Sequence, residues 1–254
     1  MNHTSISANE AFILSLVERK NLLVFGVREM VYLSGWDRKR IHNALASLLR
    51  KGVITRIKRD SYALTESLRK NVFEIATELV KPSYISLWTA LSHYGFTEQQ
   101  VRKVQLVCPK QFGPIAAGDF ELEIATFKAS RFFGYRKTEG YVIADPEKAL
   151  IDALFLPVMC GGLDEFAKCL RNAWVDLDKG KLVEYAVRFG NKSLVSRLGY
   201  LADLLDLEIK ELDRLLDGRS TSFVMLDPES GKTSQYDRKW RVIVNRKISL
   251  EEMH

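Results

Sequence analysis

The chain has little cysteine: three residues in 254, Cys108, Cys160 and Cys169, an odd number with no C-x-x-C pair. That excludes a disulfide framework and a cysteine-based zinc site, and reads as buried thiols in a reducing cytosol. Long apolar runs are also missing. A membrane helix needs about 20 apolar residues, and the longest stretch here, 149–160, is interrupted by Asp152 and Pro157. The first dozen residues, MNHTSISANEAF, are polar, so no secretory signal is expected. The four histidines (His3, His42, His93, His254) are scattered without metal-ligand spacing. No G-x-S-x-G, Walker loop or Rossmann glycine fingerprint occurs. The expectation is a cytoplasmic protein that is not an enzyme and carries no metal or cofactor.

What is present suffices for a core. The chain is 46% hydrophobic, 10% aromatic and 28% charged, unlike a disordered polymer. Its length fits one large or two ordinary domains. The charge is unevenly placed. Residues 1–70 hold 13 Lys+Arg against 6 Asp+Glu, whereas 71–254 hold 25 against 26. The formal excess of +6 therefore sits in the first quarter of the chain. A basic head on a near-neutral body points to a polyanion-binding module joined to a part with another job; the alternative is a solvated basic face.

The first 66 residues favour the module. Residues 8–20 place Ala11, Phe12, Leu14, Leu16 and Val17 at helical spacing. GVREMVYL (26–33) reads as a second short helix with Val27, Met30 and Val31 on one face. Ser34-Gly35-Trp36 is a tight turn, after which Asp37 opens DRKRIHNALASLLRK, an acid suited to the positive dipole end. Ile41, Ala44, Leu45, Leu48 and Leu49 form its inward stripe, and Lys51-Gly52 stops it. VITRIKR, an Asp60-Ser61 turn and YALT then read as a β-hairpin. Helix, helix-turn-helix and hairpin make a winged helix-turn-helix over 1–68.

The third helix turns Arg38, Lys39, His42, Asn43 and Ser47 away from its core stripe. Such a helix fits the major groove of double-stranded DNA, its N-terminal residues nearest the base edges. Arginine pairs bidentately with guanine and asparagine with adenine. Lys39, Arg40 and Arg50 are assigned to phosphates, and Arg56, Lys58 and Arg59 on the wing to backbone or minor groove. From Trp36 to Arg59 there are 8 basic residues and 1 acidic residue. Many winged helices bind protein instead; this charge favours DNA.

The rest, 69–254, predicts a mixed α/β domain with a small antiparallel sheet and a helical bundle, an α+β fold overall. A helix over 71–80 precedes Lys81-Pro82, and Ser83 is expected to cap YISLWTALSHYG. Strands are expected at 103–108, 120–127, 132–135 and 141–143. Asp145-Pro146-Glu147-Lys148 reads as a helix start, with Asp145 as cap and Pro146 in the first turn, rather than as a catalytic group. Helices follow over 146–156, 163–174, 179–189, 193–205 and 208–216. Strands at 223–226 and 239–245 close the chain, joined by the turn-rich DPESGKTSQYD. Trp88, Tyr94, Phe132, Phe133 and Tyr135 are expected in the core.

The enzymatic rival is a nuclease, because Asp119, Glu121 and Glu123 on a strand resemble paired carboxylates for Mg²⁺. The usual acid and lysine two residues apart are missing, since Lys128 lies five residues beyond Glu123. Alternating acids on a solvated strand edge are the simpler reading.

Several segments, in this order and spacing, resemble the AbiEi family of antitoxins: LRKGVITRIKRDSYALT (49–65), KPSYISLWTALSHYGFTEQ (81–99), RFFGYRK (131–137), IADPEKALIDALFLP (143–157), RLGYL (197–201) and KWRVIVN (239–245). Together they span nearly the whole chain. The resemblance implies the transcription-factor half of an AbiE-type abortive-infection (phage-defence) toxin-antitoxin pair. Its winged helix would bind double-stranded DNA at inverted repeats of its own promoter and repress it, and its C-terminal antitoxin domain (69–254) would counter a nucleotidyltransferase-like toxin encoded next door. In the best-known form, type IV, the two proteins need not touch. A regulator of the same fold without a toxin stays open, as does the oligomeric state.

Overall fold

The computed structural model describes residues 5–99, 102–231 and 233–249. His3 and His254 lie outside them.

The N-terminal part forms as its caps dictate. Ser7 and Glu10 make a reciprocal capping box at the start of α1 (Ala8–Arg19). Next come α2 (Val27–Ser34) and α3 (Arg38–Arg50), where Asp37 Oδ1 accepts from the Arg40 N–H at 2.9 Å. Ile13, Val17, Met30, Ile41, Leu45 and Leu48 close a first core between the three helices. A hairpin follows, β1 (Ile54–Lys58) and β2 (Ser61–Leu64), antiparallel with a bulge between Arg56 and Lys58. Phe25 bridges to Tyr62 as a rudimentary third strand.

The hairpin turn does not project freely. Asp60 Oδ1 accepts from the Val27 N–H at 2.9 Å, capping α2 from outside its own segment. Gly26 permits this, because a Cβ there would lie 2.6 Å from the Asp60 carbonyl oxygen. The two hairpin faces diverge. Ile54, Tyr62 and Leu64 pack on the first core, while Ile57 and Ala63 belong to a second. This is the period of two that a strand imposes on its side chains.

The second core belongs to the body. α4 (Thr65–Lys70) and α5 (Val72–Leu79) lead into a six-stranded sheet in the order β5-β6-β4-β3-β8-β7. Its strands are β3 (Tyr84–Ile85), β4 (Val104–Cys108), β5 (Ile115–Ala117), β6 (Phe120–Thr126), β7 (Tyr135–Lys137) and β8 (Val142–Ala144), with α6 (Leu87–His93) between β3 and β4. Three pairings are antiparallel, as expected. Two parallel pairings, β3 with β8 and β4 with β6, join them into one mixed sheet. Helices α7 (Pro146–Phe155), α8 (Gly162–Ala173), α9 (Lys179–Arg188), α10 (Lys192–Leu204) and α11 (Leu212–Gly218) follow. The tail folds back as β9 (Val224–Met225), β10 (Tyr236–Asp237) and β11 (Val242–Ile243). Buried Trp240 lies across Gly199 of α10, where a Cβ would come within 2.2 Å of the indole. The α+β architecture is thus as the sequence implies.

Some local expectations fail for identifiable reasons. Ser83 does not cap a helix: its hydroxyl donates to the Val80 carbonyl at 2.5 Å, Tyr84 and Ile85 pair as a strand, and α6 starts after Ser86. Asp145 occupies the N-cap position of α7 without a side-chain cap. Its carboxylate instead accepts from the Tyr185 hydroxyl at 2.9 Å and pairs with Lys181 at 3.0 Å. Tyr135 is 41% exposed rather than core, because β7 is the sheet edge. The three cysteines are free and buried, and burial pushes the Cys169 thiol up to about 12. Among the described residues no helix is long and apolar enough to cross a membrane.

At the centre of the body, α7 packs against α6, α8, α9 and α10. It carries a fully buried ion pair one turn apart, Lys148 with Asp152. Lys148 Nζ also donates to Tyr84 Oη at 2.8 Å. The Tyr84 and Ser86 hydroxyls donate to Asp152 Oδ2 at 3.1 and 2.7 Å. Four rings surround the ammonium, those of Tyr84, Phe127, Phe133 and Phe189, with centroids 5.1–5.4 Å away. Burial lowers the Lys148 pKa and raises that of Asp152, so each charge persists through its partner. Removing one partner strands the other. Asp152→Ala should therefore cost about 3 to 5 kcal/mol in denaturant unfolding, whereas Lys148→Met with Asp152→Leu recovers most of it. A loss below about 1 kcal/mol for the single change would contradict this account.

Candidate nucleic-acid interface

The site is built on α3. Its buried stripe is Ile41, Ala44, Leu45 and Leu48. Helical periodicity then places Lys39, Asn43, Ala46 and Arg50 on the opposite face, at i, i+4, i+7 and i+11. All four are exposed. Arg38 and His42 flank them on one side, where the Arg38 Nε donates to His42 Nε2 at 3.4 Å. A groove of about 340 Å³ runs between this face and the start of α1, with Lys39 and Asn43 on its wall. The side chains of Lys39, Asn43, Arg50, Arg56 and Arg59 make no hydrogen bond or ion pair with any described residue.

Three of the residues assigned from sequence are engaged inside the protein. Arg40 turns to α1: its Nη2 donates to Asn9 Oδ1 at 2.6 Å, and its guanidinium lies 3.6 Å from the Trp36 ring centroid. Trp36 in turn stacks on Phe12 at 4.6 Å. Ser47 is half-buried, lines the groove beside Glu10 of α1 and helps lower that carboxyl's pKa. Lys58 donates to the Leu79 carbonyl at 3.2 Å, at the C-terminal end of α5, where a cation suits the helix dipole. The structure therefore gathers Arg38, Lys39, His42, Asn43 and Arg50 on one exposed surface, places Arg56 and Arg59 on the exposed hairpin, and holds Arg40, Ser47 and Lys58 in packing roles.

Sequence reasoning missed Arg28 and Tyr32. They stand one turn apart on the solvent side of α2, and Tyr32 is 86% exposed. Both side chains can donate hydrogen bonds to an anion from that surface. The i, i+4 spacing on the polar face of GVREMVYL was the available signal.

The carboxylates raised for a nuclease are dispersed in role. Glu121 pairs with Lys103 at 2.8 Å, Glu123 accepts from Gln105 Nε2 at 2.8 Å, and Asp119 is exposed in the β5–β6 turn. Among the described residues no three His, Cys, Asp or Glu side chains converge to hold a metal ion.

The sequence matches no family model and no curated protein. Among solved structures it is similar to the crystal structure of the RV2827C protein from Mycobacterium tuberculosis. The TM-score is 0.67 at 15% identity, over 94% of this chain and 92% of that chain. At that identity the likeness is one of fold.

The face is held in place by Glu10. Its Oε2 pairs with Lys51 at 2.6 Å and accepts from the Ser7 N–H at 2.6 Å, tying the start of α1 to the end of α3. Lys51 is the main cause, with Ser47 and Ser7 adding, of a carboxyl pKa lowered from 4.5 to about 2. A depressed carboxylate stabilises the fold above its unfolded pKa and loses that contribution as pH falls toward the folded value. Glu10→Gln should cost roughly 2 kcal/mol at neutral pH, and the difference in Tm from the parent should shrink between pH 4.5 and pH 2. Parallel Tm-against-pH curves for the two proteins would show that Glu10 carries no such load.

Proposed function

We propose that this chain is a cytoplasmic DNA-binding antitoxin that represses the promoter of its own AbiE-like toxin-antitoxin operon. The DNA half rests on one observation: an exposed stripe of Lys39, Asn43 and Arg50 on the third helix of a three-helix unit, with Arg56 and Arg59 on the adjoining hairpin. With the Phe25–Tyr62 bridge, that unit has the element order of a winged helix-turn-helix.

Docked in the major groove, α3 presents Asn43 and Arg38 to base edges. Asparagine reads adenine and arginine reads guanine. Lys39, Arg50, Arg56 and Arg59 meet phosphates, and each one neutralised releases counterions. An occupied promoter is closed to transcription. An operator of inverted repeats would take two copies, so that two third helices reach successive major grooves. The antitoxin half is supported by the segments that resemble the AbiEi family. Its partner is a nucleotidyltransferase-like toxin from the neighbouring gene, countered with or without contact.

The test uses a duplex of the chain's own promoter. Asn43→Ala should cost about 1 to 3 kcal/mol at particular base pairs and leave others unchanged. Arg50→Ala or Arg59→Ala should weaken all sequences alike and reduce the salt slope by about 0.9 each. With Lys39, Arg50, Arg56 and Arg59 on phosphates, the parent slope per chain reaches about 3.6. Equal affinity of all these variants and the parent would overturn the DNA reading. Co-expression with the neighbouring gene tests the rest: growth rescue supports the antitoxin role, and DNA binding without rescue leaves a regulator with no toxin.

A further inference from the structure

A cavity of about 560 Å³ lies where the hairpin meets the body. The DNA-binding reading makes no use of it. Thr55 and Thr65 line it from the hairpin and the residue after it, their hydroxyls 2.9 Å apart. Its apolar wall includes Leu68, Val72, Phe73 and Phe120. Phe73 meets His93 edge to face at 5.8 Å, extending the aromatic surface. Burial, with Arg136 nearby, lowers the His93 pKa, so that ring adds no charge at neutral pH.

The charges are one-sided. Arg69, Arg102 and Lys103 line the cavity against one acid, Asp119. Lys103 is neutralised by Glu121. The side chains of Arg69 and Arg102 have no ion pair or hydrogen bond with any described residue. A half-open cavity of several hundred Å³, with an apolar wall and a few polar groups, is the usual form of a small-molecule site. Here the available polar groups are cations and hydroxyls, which select an anion.

We propose that this cavity binds a small organic anion, its flat apolar body against Val72, Phe73 and Phe120 and its negative group at Arg69 and Arg102. Because hairpin and body both furnish walls, occupancy changes the setting of the hairpin and so the affinity for DNA. This second step rests on the DNA-binding reading; the binding step does not.

The probe is 8-anilinonaphthalene-1-sulfonate, an aromatic anion whose fluorescence rises on leaving water. Titrated into the folded full-length chain, it should give a saturable rise. Arg69→Glu or Arg102→Glu should weaken binding at least tenfold; both side chains are exposed, so the fold is retained, as circular dichroism will check. Ser92→Trp, which fills the cavity, should abolish the signal. A rise that is absent, or equal in the parent and both charge reversals, overturns the site. In the second arm, saturating probe should change the promoter affinity fivefold or more in the parent and not in Arg69→Glu. Unchanged affinity in the parent overturns the coupling. Probe binding in a chain that binds no DNA under any condition overturns the proposed function and leaves the cavity assignment standing.

Discussion

A two-stranded hairpin has two faces, and here both are buried, each against a different core. Ile54, Tyr62 and Leu64 complete the three-helix unit, while Ile57 and Ala63 complete the body. An isolated hairpin is marginal in water, so this one depends on being a shared layer. Each large apolar side chain buried contributes about 1.5 to 3 kcal/mol. Separating the units would expose Ile57, Ala63 and Leu68 together. The Asp60 cap on α2 and the Lys58 bond at the end of α5 fix the hairpin from both sides as well. The position of the basic surface relative to the body is therefore set by packing rather than by a linker, which is also why a cavity on that seam touches both parts.

How much of this was legible follows from which signals are local. Caps, stops and the inward stripe of α3 lie within a few residues of one another, so the first three helices and the hairpin could be read with boundaries good to about a residue. The hairpin's second buried face could not. Ile57 sits between Arg56 and Lys58, as on a strand with one solvated face, and Ala63, between Tyr62 and Leu64, is too small to mark a second core. The partner that buries them begins at Leu68 and includes Val104 and Phe120. Tyr84 and Ile85 were hidden for a similar reason: two residues make a strand only because β4 and β8 lie on either side. Asp145 looked like a helix cap because its preference is local, whereas its actual partners, Tyr185 and Lys181, come from α9.

The same distinction governs the buried polar cluster. Lys148 and Asp152 are spaced for an ordinary surface salt bridge, and nothing in PEKALIDALF marks them as interior. They are interior because α7 is covered by four other helices, which leaves no solvated face. The hydroxyls that make this tolerable, Tyr84 and Ser86, lie on and immediately after the short β3 strand. Thus the cluster joins the sheet to the central helix through three hydrogen bonds, which the ion pair within α7 anchors. Its position between the sheet and α7 fits the registration of one layer on the other, a role for which a purely apolar contact is less specific.

The basic head divides its charge between holding itself together and facing outward. Lys51 secures the start of α1 through Glu10, Arg40 secures it again through Asn9 and Trp36, and Lys58 secures the hairpin to α5. Arg38, Lys39, Arg50, Arg56 and Arg59 are left toward solvent. A net-charge count treats all eight alike, yet only the second group can neutralise phosphates without dismantling the unit that presents them. The first group acts earlier in the chain of causes. It fixes α1 against α3 and the hairpin against the body, so that the exposed cations stand on a rigid surface and lose little freedom when they meet a ligand. The excess charge in the first quarter of the sequence is in this sense two devices, one structural and one outward-facing, and the structural one makes the other's geometry reproducible.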